Sequence, residues 1–113
     1  MKIIKGKKTL FKTVKTAESF MERFTGLLGK KNIPDGFTMF FPSCNSIHTW
    51  FMQTAIDVIM IDRQGQVVLA LKNLQPWKTA VCIRAADTLE MRAGAITALK
   101  LAVGDKLTIK QGS

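Results

Sequence analysis

The sequence predicts an α+β fold: a mostly antiparallel β-sheet curled into a small barrel, with one main helix at about 17–28 and a short C-terminal helical turn. Many short apolar stretches end at Gly, Pro or Asn/Asp turn signals. A single long segment combines helical spacing with caps. The run Ile56–Ile61 is apolar on both faces except at Asp57. Such a strand needs cover on both sides, and a barrel with a helix over one opening supplies it.

The elements follow in order. Residues 1–15 alternate apolar with basic, and Lys5-Gly6-Lys7-Lys8 reads as a turn between two short strands. Thr16 is placed to cap a helix over 17–28. Glu18 and Glu22 lie early in it, Ala17, Met21, Phe24 and Leu28 share a face, and Gly29 follows its end. Phe37–Phe41 is a strand stopped by Pro42. Ser43-Cys44-Asn45-Ser46 is a polar knot, and Ile47 to Asp62 is extended with a break near Gln53-Thr54. Asp62-Arg63-Gln64-Gly65 is a hairpin turn in which Gly65 supplies a positive φ, and Gln66–Leu71 returns beside 56–61. Val81–Arg84 and Thr88–Arg92 read as strands, Ala95–Leu101 as a helical turn, and Lys106–Lys110 as the last strand. The expected core is Phe24, Leu28, Phe40, Ile56, Val58, Ile59, Ile61 and Val67.

At 113 residues, 1–113 reads as a single domain able to hold a core without disulfide or metal. The formal net charge is +9, and residues 1–31 carry nine Lys/Arg against two acids. That basic third suits weak, non-specific polyanion binding, while lysines on sheet edges also discourage edge pairing. Cys44 and Cys82 have neither metal-site nor CxxC spacing. No signal peptide or transmembrane run is visible, so the expectation is a cytoplasmic protein with reduced thiols.

The segment Cys44-Asn45-Ser46-Ile47-His48-Thr49-Trp50-Phe51-Met52, followed by Ile56-Asp57-Val58-Ile59-Met60-Ile61-Asp62, carries a family signature. Supporting pieces are Phe24-Thr25-Gly26-Leu27-Leu28, Gly36-Phe37-Thr38-Met39-Phe40-Phe41, Gly65-Gln66-Val67-Val68, Leu74-Gln75-Pro76, Leu89-Glu90-Met91-Arg92-Ala93-Gly94 and Val103-Gly104-Asp105. In that order, over roughly residues 10–109, the chain resembles the bacterial and archaeal family catalogued as domain of unknown function 192. The resemblance implies a fold and the place of a site, and no activity. Its pattern has a basic residue where Gln53 stands and proline where Ala55 stands. An anion held by that basic residue in other members would not be shared by this chain.

The candidate site residues are Cys44, His48, Thr49, Trp50, Met52, Asp57 and Glu90. His48 is the sole histidine, able to serve as general base or ligand, or simply as a strand residue. Cys44 with His48, oriented by Asp57, would make a nucleophile pair; alternatively Cys44 is a small buried residue. Asp57 and Glu90 sit among apolar neighbours, where a carboxyl needs partners, and the expected donors for Asp57 lie in 43–54. Trp50, Phe51, Met52 and Trp77 line a groove or fill the core. No phosphate loop, GxSxG or HExxH is present, so no cofactor and no metal are expected. Three functions stay open: a module binding a small ligand, a peptide or a protein in a groove around 43–57, a small enzyme using Cys44, His48, Asp57 or Glu90, and a weak anion or nucleic-acid binder through the Lys-rich N-terminal third.

Overall fold

The computed structural model describes residues 1–17, 32–50 and 52–111. The strands are β1 (Lys2–Lys5), β2 (Lys8–Thr9), β3 (Thr13–Thr16), β4 (Phe37–Phe41), β5 (Ser46–His48), β6 (Ile56–Ile61), β7 (Val67–Leu74), β8 (Thr79–Val81), β9 (Asp87–Arg92) and β10 (Thr108–Lys110). Helix α1 is Ala95–Ala98. A five-stranded sheet, ordered β3-β4-β9-β6-β7, forms the middle. It is antiparallel except for the parallel β3–β4 pair.

Side-chain alternation splits the core between the two faces of this sheet. One face carries Phe40, Ile59, Ile61, Leu89 and Met91 and is covered by Ile3, Leu10, Phe11, Ile96 and Leu107. That cover comes from the three-stranded sheet β10-β1-β2, from α1 and from their connections. The other face carries Met39, Phe41, Ile56, Val58 and Met60 and is covered by Ile47, Met52, Ala80 and Ala85, around the two-stranded sheet β5–β8. All six residues of β6 are buried, as expected for a strand with two apolar faces. The expected core residues Phe40, Ile56, Val58, Ile59, Ile61 and Val67 are buried. Phe24 and Leu28 lie outside the described residues.

The α+β barrel is corrected. No sheet closes, and β6 gains its two covers from separate small sheets stacked on either side. Apolar faces specify that cover is needed, and layering satisfies that need as well as closure does. The main helix expected at 17–28 lies, apart from Ala17, outside the described residues. Among these the helix is the four-residue α1, and strands dominate.

The β6–β7 hairpin forms as its sequence predicts. The Gly65 N–H donates to the Asp62 carbonyl, Gly65 has φ 85°, and Asp62 Oδ1 accepts the N–H groups of Gln64 and Gln66. Gly65 also lies against the Leu107 carbonyl, so a Cβ there would collide with backbone. On the three-stranded sheet, Lys2 stands opposite Lys110 and Lys5 opposite Lys8. Lys5 Nζ also reaches Asp105 Oδ2 at 2.8 Å, and that bond holds the Asp105 carboxyl below its usual range.

Candidate functional site

The β5–β8 sheet is built by alternation. Ile47 and Ala80 point inward and are buried, while Ser46, His48, Thr79 and Val81 point outward. Ser46 faces Val81 and His48 faces Thr79 across the pair. The ladder continues past the strand ends, because the Cys82 N–H donates to the Asn45 carbonyl at 2.9 Å. Two residues past Val81, Ile83 is again exposed, whereas Cys44 is half-buried, packs against the inner cluster and donates its N–H to the Ala86 carbonyl.

Thr49 locks the other end. It is fully buried, and its hydroxyl donates to the Gln75 carbonyl at 2.6 Å and accepts the Lys78 N–H at 2.9 Å. Its backbone N–H donates to the Lys78 carbonyl, and its carbonyl accepts the N–H groups of Trp77 and Met52. The clamp holds Trp77 at φ 67°, a strained value for a bulky side chain. Trp50 and Trp77 are thereby presented to solvent at 46% and 60% exposure. The His48 ring lies 5.1 Å from that of Trp50. Met52 is buried beneath, among Ile56 and Val58.

The outward face is therefore a strip: Trp50 and Trp77, then His48 and Thr79, then Ser46 and Val81, then Ile83. At its Ile83 end opens a groove of about 1030 Å³ between residues 43–45, the 62–66 hairpin turn and the 83–87 turn, lined also by Val103. Arg63 and Arg84 line this groove, as do Asp62 and Asp87. Asp87 Oδ1 accepts the Ser43 N–H at 2.9 Å.

The other sequence candidates separate. Cys44 lines the groove, half-buried, with Sγ 3.1 Å from the Ser46 carbonyl. Asp57 points to the opposite face of the central sheet. Its Oδ1 accepts the Asn73 N–H at 2.8 Å, and its Oδ2 accepts those of Gly94 and Ile96 at 3.0 and 2.9 Å. The donors expected from 43–54 are replaced by the start of α1 and by β7, because β6 turns residue 57 away from β5. Asp57 thus does not orient His48, and the Cys44–His48–Asp57 arrangement is not assembled. Glu90 lies on the same face as β5, between Met39 and Val58 on the neighbouring strands, and is buried. No described side chain or N–H bonds its carboxyl, and desolvation raises its pKa from 4.5 to about 8. Among the described residues no His/Cys/Asp/Glu group of three or more could hold a metal. Gln53 is exposed and Phe51 lies outside the described residues. Val81 and Ile83 escape sequence reasoning, since their outward placement depends on a register between segments about 35 residues apart, and so does the meeting of Arg63, in the hairpin turn, with Arg84 in one groove.

Over residues 2–109 the chain matches the model of the family DUF192, described as "Uncharacterized ACR". It is 35% identical over 99 residues to a UPF0127 protein of Thermococcus sibiricus, covering 83% of this chain and 64% of that one. It is also 35% identical over 113 residues to a UPF0127 protein of Pyrococcus furiosus, covering 95% and 94%. The chain thus spans under two thirds of the Thermococcus relative's length. Its fold is similar to the crystal structure of a protein of unknown function from Novosphingobium aromaticivorans, with a TM-score of 0.77 and 20% identity over 88% of this chain and 75% of that one. At that identity the likeness concerns the fold. The family expected from the 44–62 signature is the family found, and this chain belongs to DUF192, an uncharacterised family.

Proposed function

We propose that this chain is a binding module whose recognition surface is the outward face of the β5–β8 sheet. One observation carries this reading. Of the five exposed large apolar side chains among the described residues, Trp50, Trp77, Val81 and Ile83 fall on that strip or at its ends. Scattered exposed apolar residues need no explanation, but a contiguous run marks an interaction surface. The Thr49 clamp supports the reading, because a rigid aromatic anchor loses little entropy on binding. His48, Thr49 and Trp50 are then site residues in distinct roles: His48 and Trp50 touch the ligand, and Thr49 positions Trp50 and Trp77. Cys44 closes the groove end, Met52 supports the strip from below, Asp57 holds the fold, and Glu90 stays buried between β4 and β6 without reaching the strip's surface.

Two free, half-buried thiols fit a reducing compartment such as the cytoplasm. No described helix is long and apolar enough to cross a membrane. A second reading, weak polyanion binding, is favoured by the like-charged pair Lys2–Lys110, which costs stability unless a counter-charge is nearby, as Asp105 is for Lys5 beside Lys8.

The test is selection of peptides from a displayed random library on the wild-type protein. Enriched peptides are expected to lose binding to the Trp50→Ala and Val81→Asp variants with the fold intact. Peptides that bind both variants as well as the wild type would refute the strip.

A further inference from the structure

Resting on that reading, we infer that the strip and the adjoining groove together receive an extended, acidic segment of another protein. Its alternate apolar side chains lie along the strip, and its carboxylates lie in the groove at Arg63 and Arg84. The length comes from geometry. From Trp77 to Ile83 the strip runs about 20 Å at ~3.3 Å per residue, which matches roughly six residues of extended chain. Its outward rows recur every second residue, the period at which an extended partner presents one face.

The charge comes from what is left unpaired. Arg63 and Arg84 have no carboxylate partner among the described residues, whereas Arg92 pairs with Asp35. The two acids of the groove are turned to backbone donors: Asp62 to the N–H groups of Gln64 and Gln66, Asp87 to that of Ser43. Their charges are thereby partly met from within, while both guanidinium forks stay open to carboxylates. Lys78, exposed beside Trp77, puts a further cation at the far end of the strip. The net charge of +9 draws an acidic partner at long range. A nucleic acid fits less well, because Val81 and Ile83 stand between the cations and offer nothing to a phosphate backbone.

The experiment uses the peptides enriched by the wild-type protein, made synthetically and titrated by fluorescence anisotropy at low and physiological salt. Enriched sequences are expected to carry apolar residues at alternate positions and Asp or Glu near one end. The double variant Arg63→Glu/Arg84→Glu, whose sites are exposed, should keep the wild-type melting curve and bind them about tenfold more weakly. Replacing the peptide acids by Lys should restore binding to that variant. Enrichment of neutral or basic peptides, or equal affinity for the double variant, would overturn the inference. If Trp77→Ala still weakened those peptides, the strip reading would stand without it. Peptides indifferent to Trp77→Ala would remove both. A labelled duplex DNA that displaces the peptides and is itself lost in the double variant would also overturn it, in favour of a nucleic-acid partner.

Discussion

Asp57 and Glu90 sit on neighbouring strands, both buried, and they point to opposite faces of one sheet. Asp57 accepts three backbone N–H groups, whereas Glu90 meets none among the described residues. The difference lies in the backbone around each. Strand interiors spend their N–H groups on the ladder. Near Asp57 the β6–β7 register slips, Asn73 turns to φ 55°, and the first turn of α1 leaves its own N–H groups over. Glu90 lies in an unbroken stretch between β4 and β6, where nothing is left over. Burial poses the same problem for both carboxyls, and irregular backbone solves it for one.

The largest expected effect is at Asp57. Asp57→Ala leaves three N–H groups without their acceptor, each worth ~1–3 kcal/mol when buried, so urea denaturation should register a loss of about 5 kcal/mol. A loss below ~1 kcal/mol would mean that the three bonds are dispensable and would erase the contrast. Glu90 should behave oppositely. With its pKa raised from 4.5 to about 8, the folded state holds a proton that the unfolded state releases. Stability is therefore full below about 4.5, falls as pH rises toward 8, and then levels. Glu90→Gln should flatten that slope and gain ~2–3 kcal/mol at pH 8, less than the whole shift because the amide is also unpaired. Unchanged stability between pH 5 and 8 in the wild type would show that Glu90 has a donor after all. Asp105, held low by its bond to Lys5, acts in the reverse sense and in more acid solution. A smaller effect belongs to Gly94, which has φ 97° and donates to Asp57. Gly94→Ala should cost ~1–2 kcal/mol and combine non-additively with Asp57→Ala, which a double-mutant cycle measures.

The same logic sets what was legible in the sequence. Asp57 is visible as a carboxyl that must be satisfied, and Gly65 as a turn glycine, because both follow from local chemistry. The strand limits 37–41 and 56–61 follow from apolar runs between breakers. The donors of Asp57 are not legible: Asn73, Gly94 and Ile96 reach it across 16, 37 and 39 residues. The barrel misreads a correct premise, since the two apolar faces of β6 fix the need for cover without fixing how it is supplied. The 44–52 segment is locatable by its signature, yet its partner β8 and the exposed Val81 and Ile83 depend on tertiary pairing. Trp77 looks like a core residue by composition, and its exposure depends on the Thr49 clamp.

On the proposed reading, residues that hold the fold, such as Asp57, are distinct from residues that the fold presents to a partner, such as Trp77. The direct test is to measure both properties on Trp77→Ala: its unfolding free energy in urea and its affinity for peptides selected on the wild type. The expected result is stability within about 1 kcal/mol of wild type, with binding weakened about tenfold or more. A loss of several kcal/mol in stability with binding intact would contradict it and return Trp77 to the core.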